Sequence, residues 1–408
     1  MQVLYSHCAG LDVHKKTVVA CARLTKGRKV ERHVETFPTT TSGLLGLLQW
    51  MHDHGCTHVA MEATGVYWKP VWHILEGSFE LILANARHVK NVPGRKSDVN
   101  DATWLADLLA HGLIRPSFVP PAPIQELRDL TRTHRQLIRE RARHSQRIQK
   151  VLEDACLKIA SLISNLLEGS GRAILDALVA GETDPERLAD LGWRLRKSSR
   201  EERVEALRGR ITAHHRYLLD LHLRQIDAID KGIERLEAHL DEVLEPFREA
   251  VELLQDIPGI AVTMARTVIA EIGTDMSRFP TAGHLVSWAG LCPRQDESAG
   301  KRRSTRLRKG ASWLKTALVQ AAWGAVRTRS SYFRAQFYRL RARRGPKKAI
   351  IAVAASLLTV IYHILRDKVP YRDLGSDHFN QLDKGQAARR LIRRLSELGY
   401  KVEMHQAA

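Results

Sequence analysis

The sequence predicts an α/β domain followed by two mainly helical regions, and three observations support this fold class. Strand-like and helix-like segments alternate over the first hundred residues. Between residues 123 and 250 the chain is polar and its apolar residues recur at helical spacing. From residue 251 more apolar helical segments return, before a short polar tail. We therefore divide the chain into the regions 1–122, 123–250, 251–370 and 371–408.

The first region begins with three strand-like segments that are separated by short polar turns. These segments are Tyr5–Asp12, Thr17–Leu24 and Lys29–Phe37. The threonines and serine of residues 39–42 predict a helix cap, because apolar residues follow them at helical spacing up to Met51. A strand at His58–Glu62, a helix near Val66–Leu75 and a strand at Leu81–Ala84 come next. Three antiparallel strands followed by βαβ units is the order of a ribonuclease-H-like fold.

The second region carries the pattern of a coiled-coil seam. Its apolar residues alternate spacings of three and four. They are Ile226, Ile229, Ile233, Leu236, Leu240 and Val243. The pattern predicts a helical hairpin or a dimerising coiled coil, and it favours a spacer without chemistry of its own.

The third region contains two segments that need interpretation. Ile257-Pro258-Gly259-Ile260 is similar to a helix-hairpin-helix turn, whose backbone N–H groups can hold a phosphate. Ala261 stands where a second glycine is usual, so a plain packing turn is the alternative. The apolar run Ala349–Leu365 has 17 residues, fewer than the roughly 20 that cross a membrane. We expect it to be a buried helix.

The positive charge of the chain is concentrated in one stretch. The net charge is +19, yet residues 1–293 hold 38 basic and 37 acidic side chains. Residues 294–348 hold 17 basic and only 2 acidic side chains. This imbalance favours a polyanionic partner over a small metabolite.

Other features exclude several classes of protein. The five cysteines are dispersed without a CxxC pair, which favours reduced thiols in the cytosol over a disulfide framework or a zinc ribbon. The nineteen histidines form no HExxH motif, so a zincin is not expected. Asp12, His14 and Lys15 come too early for a signal peptide. We expect a cytoplasmic protein without a membrane segment.

Four acidic residues of the first region have the order of a metal site. Asp12 and Glu62 end apolar strands, and Asp98 and Asp101 begin a helix. Residues three apart on a helix share one face, with Cβ atoms about 5–6 Å apart. Converging carboxylates suit Mg²⁺, and two such ions could clamp a phosphodiester. The alternatives are a turn residue for Asp12, a strand-end charge for Glu62 and a helix cap for the aspartate pair.

Several short motifs resemble the DEDD transposases of the IS-one-ten insertion-sequence family. The motifs of the first region are Gly10–Lys15, Glu62–Tyr67 and Lys96–Ala102. The downstream motifs are Ile257–Ile260, Gly290–Arg294 and Glu297-Ser298. They follow the order of that family and span roughly residues 4–370. The resemblance implies a RuvC-like first domain in which Asp12, Glu62, Asp98 and Asp101 bind Mg²⁺.

The resemblance also assigns a role to Ser298, which its own surroundings would not single out. In similar proteins the serine at this position attacks DNA and forms a covalent phosphoserine. Two departures from the family are the alanine at 299, where glycine is frequent, and Leu307-Arg308-Lys309-Gly310, where relatives carry Ser-Lys-x-Gly. The second departure puts the role of a second serine in doubt and leaves Ser298 untouched.

The resemblance further implies partners that the composition does not reveal. Relatives assemble as homo-oligomers, dimers or tetramers, in which the acidic site of one subunit completes the serine site of another. A structured noncoding RNA of the element guides them to target and donor DNA. The helical middle would then join subunits and help to hold the RNA. The expected location is the bacterial cytoplasm, in association with the nucleoid.

Basic residues near the serine and in a second cluster are the expected contacts with nucleic acid. They are Arg294, Lys301, Arg302, Arg303, Arg306, Arg308, Lys309, Arg341, Arg343, Arg344, Lys347 and Lys348. Aromatic residues among the second cluster could stack on unpaired bases. Because Phe333, Phe337 and Leu340 share one helical stripe, we expect these three to belong to the core.

Two other functions remain open on the sequence. A junction-resolving nuclease of ribonuclease-H fold would use the same acids with water as nucleophile, and Ser298 would be dispensable. A non-catalytic RNA- or DNA-binding protein would keep the acids for structure alone.

Overall fold

The computed structural model describes residues 2–63, 65–86, 89, 100–163, 165–192, 198–293, 296–298, 300–304, 306–307, 310–382 and 384–401. For residues 296–298, 302 and 303, and for parts of 380–390, the description covers the backbone alone. The chain folds as two compact units, residues 1–119 and residues 120–408. The predicted boundary at residue 122 lies close to the division between them.

Unit 1 is built on a five-stranded mixed sheet. Its strands are β1 (His7–Val13), β2 (Thr17–Lys26), β3 (Lys29–Pro38), β4 (His58–Glu62) and β5 (Glu80–Ala84). The strand order is β3-β2-β1-β4-β5. The first three strands are antiparallel, whereas β4 runs parallel to β1 and β5 parallel to β4. The α/β class predicted for this region is confirmed.

Helices cover both faces of this sheet because its central strands are apolar on both sides. The helices are α1 (Thr41–Asp53), α2 (Trp68–Leu75) and α3 (Asp101–Ala110). Leu11 and Met61 belong to a core cluster with α1 and α2, while Cys8 and Ala60 belong to a second cluster with α3. The predicted cap of α1 is present, since Thr40 Oγ1 accepts a hydrogen bond from the backbone of residue 43 at 3.3 Å.

Helix α3 is held against the sheet by a close backbone approach and by buried charge. A Cβ atom on Gly10 of β1 would lie 2.2 Å from the carbonyl oxygen of Ala102 and 2.4 Å from the nitrogen of Ala106. Only glycine allows the strand and the helix to come this close. Nearby, Asp107 Oδ1 accepts from Arg23 Nε at 2.8 Å and from Arg32 Nη2 at 2.9 Å. These contacts fix the position of α3 on β1 and β2.

The five cysteines are unpaired thiols, as the sequence predicts. Cys8, Cys21 and Cys56 are buried in unit 1. Burial raises the pKa of the Cys8 thiol and of the Cys56 thiol to about 12. Both side chains therefore stay protonated and act as small apolar core residues.

Unit 2 is mainly helical. Its described helices of at least five residues are α4 (Ala122–Asp154), α5 (Gly169–Ala180), α6 (Pro185–Asp190), α7 (Arg200–Ala206), α8 (Ala213–Leu244), α9 (Arg248–Gln255), α10 (Val262–Ile272), α11 (Ala282–Trp288), α12 (Ser312–Arg327), α13 (Tyr332–Arg344), α14 (Pro346–Asp367), α15 (His378–Leu382) and α16 (Lys384–Glu397). The predicted polar tail thus contains the last two helices. One short hairpin, β6 (Asp296–Ser298) and β7 (Lys301–Ser304), interrupts the helices.

The two longest helices, α4 and α8, lie side by side and run antiparallel. His134 Nε2 is 2.9 Å from Glu237 Oε1, and His215 Nε2 is 2.9 Å from Asp154 Oδ2. The beginning of α4 thus contacts the end of α8, and the end of α4 contacts the beginning of α8. Buried side chains occur towards the ends of the pair. Residues 135–147 of α4 and 227–239 of α8 include none. The middle of this helix pair contains the ion pair of Arg141 with Asp230 and partly buried apolar residues such as Ile229 and Ile233.

The carboxyl-terminal half of unit 2 has its own core, formed largely by α10, α12 and α14. Helix α14 is long and apolar enough to span a membrane by length and composition, the one such helix in the described part of the chain. Ten of its residues are buried, including Val353 and Leu357, and Tyr362 Oη donates to the carbonyl oxygen of Phe279 at 3.1 Å. The prediction of a buried helix is confirmed.

A buried acid anchors α4 to this core. Glu271, near the end of α10, is 1% exposed. Its two carboxylate oxygens accept from Arg132 Nε at 2.8 Å and Nη2 at 2.9 Å. Arg128 Nη2 donates to the carbonyl oxygen of the same residue at 2.6 Å. The first turns of α4 are thereby tied to the end of α10.

Candidate functional site

Asp12 and Glu62 lie at the same edge of the sheet. The parallel pairing of β1 with β4 matches Gly10 with Ala60 and Leu11 with Met61. Asp12 and Glu62 are the next residues of their strands, and neighbouring strands are about 4.8 Å apart. Since side chains alternate between faces, both acids lie on the face that α3 covers. The register therefore brings these two predicted site residues together.

Asp101 lies towards the same edge. Cys8 Sγ lies 3.6 Å from the carbonyl oxygen of Ala106, and Gly10 lies against Ala102. Helix α3 thus runs antiparallel to β1, and its first residue, Asp101, is on the side of the strand's carboxyl end. The cap of α3 is Asn100, whose Oδ1 accepts from the N–H of Ala102 at 3.0 Å. Asp101 is therefore not the N-cap, although it lies in the first turn, where the helix dipole favours a negative charge.

The fourth predicted acid, Asp98, lies outside the described residues. Asp12 is partly exposed, and its Oδ2 is 3.2 Å from Nε2 of His14. Within the described part of the chain, no three carboxylate, histidine or cysteine side chains are grouped closely enough to hold a metal ion. The chemistry of the donors still fits a hard cation, because carboxylate oxygens are the ligands that Mg²⁺ prefers.

Ser298 ends the first strand of the hairpin in unit 2. It pairs with Lys301, and Glu297 pairs with Arg302, so the strands are joined by a two-residue turn. Gly300 occupies that turn with φ of 71°, a value that favours glycine. The serine therefore lies at the end of a short strand. The hairpin fixes the backbone of Ser298 beside that of a lysine.

The predicted basic contacts are found in two places. Lys301 and Arg306 are exposed on or after the hairpin, and Arg302 and Arg303 belong to β7 by their backbone. Arg294, Arg308 and Lys309 lie outside the described residues. The second group is exposed where α13 ends and α14 begins, and among the described side chains no carboxylate is within salt-bridge distance of it. It comprises Arg341, Arg343, Arg344, Lys347 and Lys348.

The aromatic residues of α13 divide into core and surface. Phe333 is fully buried and Phe337 is 3% exposed, which confirms their predicted place in the core. Tyr338 is 46% exposed, and the guanidinium carbons of Arg334 and Arg341 lie 5.1 and 5.7 Å from its ring centroid. Tyr338 is thus the aromatic side chain of this cluster that a base could reach.

The turn at residues 257–260 serves the packing of helices. Gly259 has φ of 83°, and a Cβ atom there would lie 2.2 Å from the carbonyl oxygen of Ala321 on α12. The turn between α9 and α10 therefore lies directly on the backbone of α12. Ala261 is the N-cap of α10 and has no side-chain oxygen to accept a hydrogen bond. The packing alternative accounts for Gly259. The first backbone N–H groups of α10 donate no hydrogen bond to the side chain of the N-cap residue.

The sequence analysis assigns no role to two sets of residues near the candidate sites. Gly10 lies in one of the motifs, and a glycine inside an apolar strand indicates that another backbone segment approaches closely. The arginines of α4 recur every three or four residues, which places Arg132, Arg135 and Arg139 on one side. That spacing was the available signal. No sequence pattern indicated that Asp107 would bind Arg23.

The chain matches two family models. Residues 9–157 match a model described as Transposase, of the DEDD IS110 type. Residues 251–338 match a model described as Transposase IS116/IS110/IS902 family. The matched ranges include Asp12, Glu62, Asp98, Asp101 and Ser298.

Proteins of similar sequence come from insertion elements and from a gene-inversion system. The 43.6 kDa protein of insertion element IS110 from Streptomyces coelicolor is 28% identical over 148 residues, 36% of either chain. The 44.8 kDa protein of insertion element IS116 from Streptomyces clavuligerus is 25% identical over 71% of this chain and 79% of its own. The pilin gene-inverting protein of Moraxella bovis is 25% identical over 89% and 96%. The two family models together cover more than half of the sequence, and the chain belongs to the IS116/IS110/IS902 family of transposases.

Proposed function

We propose that this protein is the recombinase of an insertion element, which cuts and rejoins DNA strands by phosphoryl transfer through Ser298. The observation that carries the proposal is the register of β1 with β4. It brings Asp12 and Glu62 to one edge of a sheet of order β3-β2-β1-β4-β5, and this order supports a ribonuclease-H-like, RuvC-like domain. Asp101 begins the helix that covers this edge.

The acids of unit 1 are the residues that would hold Mg²⁺. Asp12, Glu62 and Asp101 supply oxygen ligands, together with Asp98, which precedes Asn100 in the chain. When bound, the ion would favour the ionised form of an attacking hydroxyl and offset the charge of the phosphate. The protein's own contribution is rigidity, because β1 and β4 hold two of the carboxylates by backbone pairing and Gly10 sets the distance to α3.

Ser298 is the proposed nucleophile. Its Oγ loses a proton and forms a bond to a DNA phosphorus, while the bond from that phosphorus to a deoxyribose oxygen breaks. The released oxygen takes up a proton and leaves as a hydroxyl. In the second step the hydroxyl of another strand attacks the phosphoserine and restores Ser298. The number of phosphodiester bonds is conserved, so no external energy source is required.

The basic residues bind and position the nucleic acid. Lys301, Arg302, Arg303 and Arg306 follow the serine closely enough in the chain to offset charge on the attacked phosphate. The arginines and lysines around Gly345 form a second contact area for a DNA or RNA backbone. A noncoding guide RNA of the element and a homo-oligomeric assembly, a dimer or a tetramer, complete the proposal.

The test is a search for DNA that is covalently attached to the protein. Full-length protein is incubated with element-end DNA, the adjoining noncoding RNA and Mg²⁺, and the products are separated on a denaturing gel and identified by mass spectrometry. We expect an adduct at Ser298 that disappears in Ser298→Ala and persists in Ser304→Ala, the matched serine of the same hairpin. Asp12→Asn should lose the adduct, whereas Asp53→Asn, at the exposed end of α1, should keep it.

Other outcomes would identify the rival functions. Cleavage without an adduct, unchanged in Ser298→Ala, would establish a nuclease that uses water. Nucleic-acid binding without cleavage, unaffected by Mg²⁺ or by Asp98→Asn, would establish a non-catalytic binding protein. An adduct that forms equally without RNA would remove the guide RNA from the proposal and leave the serine chemistry in place.

A further inference from the structure

Unit 2 contains a cavity whose lining includes neither Ser298 nor any residue of the second basic cluster. It has a volume of about 590 Å³ and lies between α4, α8, α10 and α12. Pockets for small ligands commonly have about 300–1,000 Å³. The cavity is therefore large enough for one nucleotide.

Two arginines on the rim of this cavity have no acidic partner among the described side chains. Arg135 Nη2 donates to the neutral Gln320 Oε1 at 3.2 Å. The guanidinium carbons of Arg135 and Arg139 lie 5.9 and 5.2 Å from the ring centroid of Trp313. Burial, and then the charge of Arg139, lower the pKa of Arg135. The guanidinium carbon of Arg132 lies 5.6 Å from the same ring, so three cations surround Trp313. Arg132 is paired with Glu271, and an anion between Arg135 and Arg139 would relieve the repulsion between those two.

The other charged groups on the rim are already engaged. Glu237 Oε1 accepts from His134 Nε2 at 2.9 Å. Arg266 Nη2 donates to Asp241 Oδ1 at 2.5 Å. Arg135 and Arg139 are thus the lining cations without a carboxylate at salt-bridge distance among the described side chains, although the charge of Glu271 also acts on Arg135.

Part of the cavity lining is apolar, namely Ile138, Leu240 and Met264, and we call these three side chains the apolar floor. Four threonines, Gln320 and four charged side chains also line the cavity, and Ile138 is 45% exposed. The open start of α10 also faces the cavity, since Ala261 and Thr263 are among its lining residues. A ligand that matches this lining has a flat apolar part, which contacts the apolar side chains. It also has a negatively charged part, about one side-chain length away, which contacts the arginines.

The arginine row continues beyond the cavity. Arg143 and Arg147 follow Arg139 at intervals of four residues, about 6 Å each along the helix axis. Both are exposed, and no carboxylate in the described part of the chain pairs with either. A flexible polyanion with one charge per unit could follow this row, whereas a free mononucleotide would leave most of it unused.

We propose that this groove binds a single strand of nucleic acid, with one unpaired base on the apolar floor and its phosphate between Arg135 and Arg139. The adjoining phosphates then follow Arg143 and Arg147. A duplex does not fit this arrangement, because its bases are stacked and paired away from the apolar floor. The inference deepens the proposed function and rests on it, since a strand that is unpaired during recombination or in a guide RNA is the natural occupant.

The test measures binding without cleavage. Full-length Ser298→Ala protein is titrated against fluorescein-labelled oligothymidine, oligouridine and a DNA duplex of equal length, and anisotropy gives Kd at several salt concentrations. Arg135→Gln and Arg139→Gln are compared with Arg235→Gln, which removes one exposed charge from α8. Circular dichroism melting checks that each variant is folded.

We expect each of the two substitutions to weaken single-strand binding about tenfold and to lower the salt slope by about one. Arg235→Gln should stay within about twofold of the parent. The single-stranded DNA and RNA arms show which strand the groove prefers. If the double variant Arg135→Gln/Arg139→Gln binds single strands as tightly as Arg235→Gln does, the proposal is overturned. It is also overturned if the double variant loses affinity for the duplex and for single strands by the same factor.

A photo-crosslink tests the position of the base. An oligonucleotide with one 5-iodouracil is irradiated with the Ser298→Ala protein, and the crosslinked peptide is identified by mass spectrometry. Crosslinks in residues 131–139 or 261–267 support the proposal, and crosslinks confined to other segments refute it. Because neither measurement needs Ser298, failure of the serine mechanism and failure of this site are distinguishable.

Discussion

Substitution of Gly10 by alanine tests how the acidic edge of unit 1 is built. The added Cβ would lie 2.2 Å from the carbonyl oxygen of Ala102, 2.4 Å from the nitrogen of Ala106 and 2.9 Å from Cβ of Leu105. Ordinary contacts begin at 3.4 Å, so the strand and the helix would have to separate by roughly 1 Å. Two of the three atoms belong to helix backbone, which cannot rotate away.

The expected cost follows from this geometry. Inserting a methyl group into a packed interior typically costs about 1–3 kcal/mol, and we expect Gly10→Ala to lie at the upper end because Asp107 is tied to Arg23. The same movement shifts Asp101 relative to Asp12. A displacement of about 1 Å at a catalytic group can lower the rate by about a hundredfold.

Hydrogen exchange and DNA cleavage measure the two effects. Exchange of the β1 and α3 amides reports the local free energy of opening in the full chain. The matched control is Gly46→Ala, because Gly46 lies exposed in α1 with nothing within 4 Å of an added Cβ. We expect that control to stabilise α1 by about 0.5–1 kcal/mol and to leave cleavage unchanged. A Gly10→Ala protein with unchanged exchange in β1 and α3 would refute the close-approach argument.

Three further predictions concern unit 2. Burial and nearby positive charge lower the pKa of His144 and of His222, whose ring nitrogens lie 3.3 Å apart. As pH falls through about 6.5, the unfolded chain binds protons at these histidines before the folded chain does, so the free energy of unfolding decreases. His222→Gln should reduce the loss of melting temperature between pH 7 and pH 5. Glu271→Gln should lower the free energy of unfolding in urea by about 3 kcal/mol, because it leaves buried arginine charge without its partner. Glu242→Gln, at an exposed position, should change the same quantity by less than about 0.5 kcal/mol. Equal values for the two variants would contradict the burial argument. Gly259→Ala should destabilise by at least about 2 kcal/mol through both its positive φ and its contact with α12, and a melting temperature equal to wild type would exclude that packing role.

The sheet of unit 1 could be predicted because its signals are local. Runs such as His58–Glu62 are apolar, short and bounded by turn residues, so their strand character does not depend on distant contacts. The succession of strands and helices along the chain also followed from the pattern. The register that brings Asp12 beside Glu62 depends on the pairing of β1 with β4, which no single segment contains.

The hairpin that carries Ser298 was not predictable from local pattern. Its strands are three and four residues long and mostly charged, so they lack the alternation that marks a strand. The cavity of unit 2 was hidden for a different reason. Arg135, Met264 and Gln320 come from three helices, and only their packing brings them together.

The middle of the α4–α8 pair has a consequence for how unit 2 unfolds. The 33 residues of α4 correspond to a rod of about 50 Å, with one apolar core around Leu152 and Leu219 and another around α10, α12 and α14. Between these cores no side chain among residues 135–147 and 227–239 is fully buried. Because local opening is easiest where few contacts are buried, we expect the amides of this stretch to exchange with solvent before those of either core.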